Sequence, residues 1–152
     1  MAVIITLILG TLGARLVGLL GPESWDYVDR WPQAIAVGLA AMFVMTGVAH
    51  FAPSMRRDMI AIVPPRLPAA GLLVTTTGVL ELVGAAGLLY PPTRVTAAVC
   101  LFLLMLVMFP ANLYASRMPN PPKSMTSRLD VRTAEEIVYL GAAVVVGLGS
   151  IQ

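Results

Sequence analysis

Charge, cysteine and histidine are scarce in this chain, and each scarcity removes a class of function. Of 152 residues only 12% are charged, against about 25% in soluble domains, so a water-covered globule has too few polar residues to coat itself. One cysteine, Cys100, excludes an internal disulfide or a CxxC dithiol pair. One histidine, His50, leaves no HExxH or Glu-x-x-His spacing, so no metal site is expected, and a haem held by two axial histidines lacks a ligand. No P-loop, GxSxG or Rossmann glycine pattern is present. The net charge of +2 and pI near 9.0 lie in breaks between apolar runs, which fits membrane orientation and not nucleic-acid binding.

What the chain has is apolar sequence in long blocks: 58% of residues are hydrophobic and the mean hydropathy is +0.85. The pattern predicts an all-α integral membrane helical bundle in a single domain over 1–152. Transmembrane helices are expected at about 2–21, 32–51, 69–90, 95–114 and 134–151. The first run lacks a basic leader and an A-x-A site, which favours a retained helix over a signal peptide. Residues 23–31 (ESWDYVDRW) mix charges with aromatic interfacial anchors. Pro32 suits the first turn of the second helix. Residues 55–63, with apolar Met55, Met59 and Ile62 on one face, read as a short interfacial helix with Ser54 as N-cap, stopped by Pro64 and Pro65. Pro110 is expected to kink the fourth run. The Pro- and Ser-rich basic stretch 115–132 reads as a loop. The last run is short and begins with Glu135 and Glu136 in its first turn, where the helix dipole favours acids.

With a cytoplasmic N-terminus, the inner loops carry Arg56, Arg57, Arg66, Arg117, Lys123, Arg128 and Arg132, and the outer loops only Arg30 and Arg94. This positive-inside asymmetry predicts a multi-pass inner-membrane protein with its N-terminus cytoplasmic and its C-terminus outside.

Glu81 stands near the middle of the apolar run 72–90. A carboxylate at bilayer depth costs roughly 2.5–3.5 kcal/mol on insertion scales, so it must face the protein interior. Gly78, Glu81, Gly84 or Ala85, and Leu88 share one helical face, a seam of small residues suited to close helix contact. Gly10, Ala14 and Gly18 form a similar seam on the first helix, beside Arg15. Measured from the cytoplasmic helix ends, Arg15 and Glu81 both lie about 20 Å deep. Three readings follow. In one, Arg15 and Glu81 form a structural ion pair; in another, Glu81 lines a cavity and exchanges a proton with, or hydrogen-bonds, a lipophilic ligand; in the third, Arg15 snorkels outward alone. A second polar cluster is expected at the cytoplasmic ends, from His50, Asn112, Tyr114, Arg132 and Glu136, where helix capping is the alternative. Met42, Met45, Met105 and Met108 read as packing residues.

Four motifs, Gly47-Val-Ala-His50-Phe51, Asp58 through Val63-Pro64-Pro65 to Leu67-Pro68, Thr77-Gly78 through Glu81 to Gly84-Ala85, and Phe109-Pro110-Ala111-Asn112, occur in this order at transmembrane spacing. Together they make the chain, over about 33–150, similar to the DoxX-like membrane proteins. The resemblance implies a four-helix core with one extra N-terminal helix, and it suggests the membrane component of a quinone-linked oxidoreductase system. On that reading Glu81 and His50 are the proton-handling catalytic candidates, and Arg15, Gly78, Asn112, Tyr114 and Glu136 contact the ligand. A quinone is the ligand considered, and no covalently bound cofactor is expected. The partners are the bilayer, a lipophilic small molecule and another protein or a second copy. The last helix departs from the family pattern, opening Arg132-Thr-Ala-Glu-Glu136 in place of something closer to Arg-x-Pro-x-Gln. The alternatives are a non-catalytic membrane adaptor or assembly factor, and a proton or small-solute transporter.

Overall fold

The computed structural model describes residues 2–21, 26–122 and 128–151. Lys123 and the centre of the expected 115–132 loop lie outside the described residues, as do 22–25 of the first loop. The described residues are helical, without strands: α1 (Ala2–Leu20), α2 (Trp31–Ala49), α3 (Pro53–Ala61), α4 (Ala70–Leu89), α5 (Arg94–Ser116) and α6 (Leu129–Gly149), with short 3-10 turns at Asp26–Val28 and Pro91–Thr93.

Proline and local side-chain bonds set several boundaries. Pro32 occupies the first turn of α2, as expected. The start of α3 differs from expectation: Ala52 is the N-cap and Pro53 begins the helix, so Ser54 falls inside the first turn. Proline with its preset φ takes the first helical position, and the serine hydroxyl makes no cap bond. α5 runs on through Pro110 to Ser116, although Pro110 has no N–H to donate to the carbonyl one turn back. α6 starts at Leu129, a turn before the expected 134. Its first turn is held by Asp130, whose Oδ1 accepts from the N–H of Val131 at 2.9 Å, and by Arg132, which reaches across to α5.

α2, α4, α5 and α6 close a four-helix ring, each packed on the next and α6 back on α2, while α1 docks on the outside of α2. The ring encloses Leu39, Phe43, Ala85, Leu88, Leu101, Met105, Ala143 and Val146. Small residues set the spacing. A Cβ on Gly84 would stand 2.5 Å from Leu101, and one on Gly38 would stand 2.6 Å from the Leu7 carbonyl oxygen, so bulkier residues would push α4 off α5 and α1 off α2. α4 buries Val74, Gly78, Glu81, Gly84, Ala85 and Leu88; on α1, Leu7, Gly10 and Ala14 meet α2, while Gly18 of the expected seam packs on the Val28 turn before α2.

The outside of the bundle is apolar. Leu9 is 63%, Val107 74% and Leu148 63% exposed, with many other large aliphatic residues beside them on five helices. A continuous apolar exterior of this kind is foreign to monomeric soluble proteins. Four helices are long and apolar enough to cross a membrane: α1, α2, α4, and α5 together with the turn before it. α6 is of comparable length, but Asp130, Arg132, Glu135 and Glu136 occupy its first two turns and its apolar part begins at Ile137.

Candidate functional site

α4 has no polar stripe, yet Glu81 sits in its buried seam at 4% exposure. What it meets comes from the last turn of α2. The Thr46 hydroxyl donates to Glu81 Oε2 at 2.6 Å, a length typical of a bond to a carboxylate. His50 Nδ1 stands 3.9 Å from the same oxygen and 2.9 Å from the Thr46 carbonyl one turn back. A carbonyl only accepts, so Nδ1 carries a hydrogen and, in the neutral ring, Nε2 is left as the acceptor. His50, at 4% exposure, is as buried as Glu81.

Glycine makes this approach possible. A Cβ on Gly78 would lie 2.6 Å from His50 Cβ, and one on Gly47 would lie 2.9 Å from the Leu82 side chain. The sequence candidate Gly78 is therefore the surface on which the imidazole rests. Arg56 of α3 fastens the region from below, donating from Nη1 to the His50 carbonyl at 3.3 Å and from Nη2 to the Gly71 carbonyl at 2.9 Å. α3 thus ties the end of α2 to the start of α4.

Arg15 is elsewhere. Its guanidinium lies 5.6 Å over the ring of Trp31, at the opposite end of α2 from Thr46. Trp31 and Thr46 are fifteen residues apart on one helix, about 22 Å along its axis. The matching depth read from helix ends is thereby corrected, and among the described residues no ion pair links Arg15 to Glu81. Helix ends are staggered. α4 runs antiparallel to α2 with Glu81 beside Thr46, eleven residues after Ala70, whereas Thr46 is only three residues before Ala49. α4 therefore begins about 12 Å below the end of α2. The same stagger brings Glu81 and His50, read from sequence as two depths, into one site.

The other cluster candidates gather on the far side of the ring. Arg132 of α6 donates to Asn112 Oδ1 of α5 at 3.1 Å. One turn along α6, Glu136 Oε1 and the Tyr139 hydroxyl are buried without hydrogen-bond partners among the described residues. Tyr114 is half-buried, and its hydroxyl makes no hydrogen bond among the described residues. Among the described residues the hydrogen bonds fall in two places, Thr46, His50 and Glu81 between α2 and α4, and Arg132 with Asn112 between α5 and α6, with Glu136 and Tyr139 further along α6. Among the described residues no group of three His, Cys, Asp or Glu side chains could hold a metal. Met42 and Met105 are core residues.

Sequence reading missed two residues. Thr46 is one turn before His50 on the same face, and that i, i+4 spacing is the signal that could have found it. Arg94, read as a loop charge, is buried at 5%, its Nε donating to the Leu88 carbonyl at 2.9 Å and its guanidinium stacked 5.0 Å over Tyr27. Nothing local in Pro-Pro-Thr-Arg announces this. Two grooves along α1 lie away from Glu81. One groove of about 410 Å³ is lined by Leu12, Arg15, Leu16, Leu19 and Trp31. Another, of about 240 Å³, is lined by Leu7, Ile8, Thr11, Leu12, Ile35 and Ala142.

A family model described as Domain of unknown function (DUF8561) matches residues 39–146, from the middle of α2 through α4 and α5 to the last turn of α6, and takes in both polar clusters. No curated protein matches the chain, and no solved structure matches it.

Proposed function

The chain belongs to the family described as Domain of unknown function (DUF8561), and from its site we propose that it is a multi-pass membrane protein that binds a quinone or another lipophilic carbonyl compound at Glu81 and His50. The observation that carries the reading is a buried carboxyl group whose neighbours are a hydroxyl at 2.6 Å and an imidazole at 3.9 Å. Among the described residues no arginine or lysine is paired with it. At 3.9 Å the carboxyl and the imidazole share no hydrogen bond, but each in its protonated form is able to give a proton to an oxygen that arrives from the bilayer. A quinone oxygen needs such a donor when it is reduced. The chain brings a single cysteine and a single histidine, so the electrons would come from a partner protein.

A ring of four helices with one more outside it is the arrangement that the likeness to the DoxX-like membrane proteins implies, and the quinone reading is taken from that likeness. The apolar outer face of α6, with Ile137, Val138, Val144, Val145 and Leu148 exposed, supports a fifth crossing. The asymmetry of Lys and Arg among the loops supports a cytoplasmic N-terminus and a C-terminus outside the inner membrane.

The test is calorimetric titration of a short-chain quinone into the protein held in lipid nanodiscs. E81Q and H50N should each weaken binding about tenfold or more, the size of a lost hydrogen bond to a charged or proton-sharing group. Wild-type affinity in both variants would sink the reading. A second reading, a non-catalytic adaptor or assembly factor, is favoured by the close packing of His50 on Gly78, with the cavities lying along α1 instead. Its mark would be co-purification of the same protein partner with wild type and E81Q alike, with no quinone bound to either.

A further inference from the structure

The proposed site leaves Arg15 unused. Its Nε is buried without a hydrogen-bond partner among the described residues, while its guanidinium lies over Trp31 where α1 ends and α2 begins. The groove around it is otherwise apolar, and its other liners, Leu12, Leu16, Leu19 and Trp31, are all exposed on the outside of the bundle. Leu12 also lines the second groove, between α1, α2 and α6, so the groove with the one cation adjoins an apolar one. From Arg15, exposed Leu12, Leu9 and Ile5 extend the track toward the start of α1. Ten residues of helix, from Arg15 to Ile5, cover about 15 Å, half of a ~30 Å hydrocarbon core and hence the depth of one leaflet.

We propose that this groove is a phospholipid site, the phosphodiester taken by Arg15 beside Trp31 and one acyl chain lying past Leu12 into the groove between α1, α2 and α6. Charge complementarity selects the occupant. A guanidinium offers paired N–H donors that match phosphate oxygens, and a tryptophan at the end of a membrane helix sits at headgroup depth. The inference rests on the bilayer placement of α1 and is independent of ligand binding at Glu81.

The experiment is native mass spectrometry of protein released from nanodiscs of phosphatidylglycerol and phosphatidylcholine, with retained lipid counted as collision energy is raised. Wild type should keep one phospholipid per chain after the remaining lipid has been stripped. R15L should lower that retention at least tenfold, and R15K should restore part of it. L12W, which adds bulk where the two grooves adjoin, should lower retention with Arg15 intact, and E81Q should leave it unchanged. Circular dichroism melts identify any variant that fails to fold. Equal retention in wild type, R15L and L12W would overturn the proposal. So would a lipid-free dimer that L12W dissociates, because a second copy would then fill the groove.

Discussion

Thr46 is the residue on which the candidate site turns, because its hydroxyl holds Glu81 and its carbonyl holds His50. T46V keeps the volume and removes the donor. It should destabilise the protein by about 1–3 kcal/mol, the cost of leaving a buried carboxyl oxygen unsatisfied. T46S should recover most of that, as read from thermal melts in detergent. Gly78 tests the other side of the histidine. A methyl group there would stand 2.6 Å from His50 Cβ, and since both atoms belong to packed helices, G78A should cost roughly 1–3 kcal/mol and weaken ligand binding together with stability. Arg94 is a further residue whose weight is structural. Buried at 5% against Tyr27 and the Leu88 carbonyl, it fixes the turn between α4 and α5, while the Tyr27 hydroxyl donates to the Leu89 carbonyl beside it.

At the scale of elements, the entry to α4 holds strain that can be relieved. Ala69, its N-cap, has φ 53 and ψ 47, a left-handed conformation that costs an alanine roughly 1–2 kcal/mol. A69G should therefore raise Tm without altering the helix, and a lower Tm would contradict this account of the turn. The docking of α1 depends on glycine in the same physical sense. With no hydrophobic drive between helices inside a bilayer, α1 stays on α2 through close contact, and Gly38 lies against Leu7 and Thr11. G38L should release α1 from α2 while leaving the ring of α2, α4, α5 and α6 helical. Disulfide crosslinking of cysteines placed at the α1 and α2 seams would read the separation.

For the whole molecule, the arrangement in a membrane is open to a simple chemical probe. Cys100 is the chain's single cysteine and lies exposed on α5, six residues after Arg94. If that surface faces lipid, a charged maleimide should not label Cys100 in intact vesicles and should label it once the protein is unfolded in denaturant, because only a hydrated thiolate reacts. Rapid labelling by the charged reagent would remove α5 from the bilayer. A reporter fused after Gln152 should lie outside the cell if α6 crosses, and on the cytoplasmic side if it does not.

Sequence by itself determined what period and composition can carry. Apolar blocks of membrane length define the helices. The recurrence of small residues every three to four positions placed Glu81 in the buried seam of α4 and Gly10 and Ala14 against α2, because a helix face is a local property of the chain. Tertiary structure alone decided which faces meet and at what height. The stagger of α4 against α2 arises from where Gly78 lets His50 in and Gly47 lets Leu82 in, and no count from a helix end contains it. That stagger joined Glu81 to Thr46 and His50, left Arg15 about 22 Å away over Trp31, and divided the inner polar residues into two clusters on opposite sides of one ring.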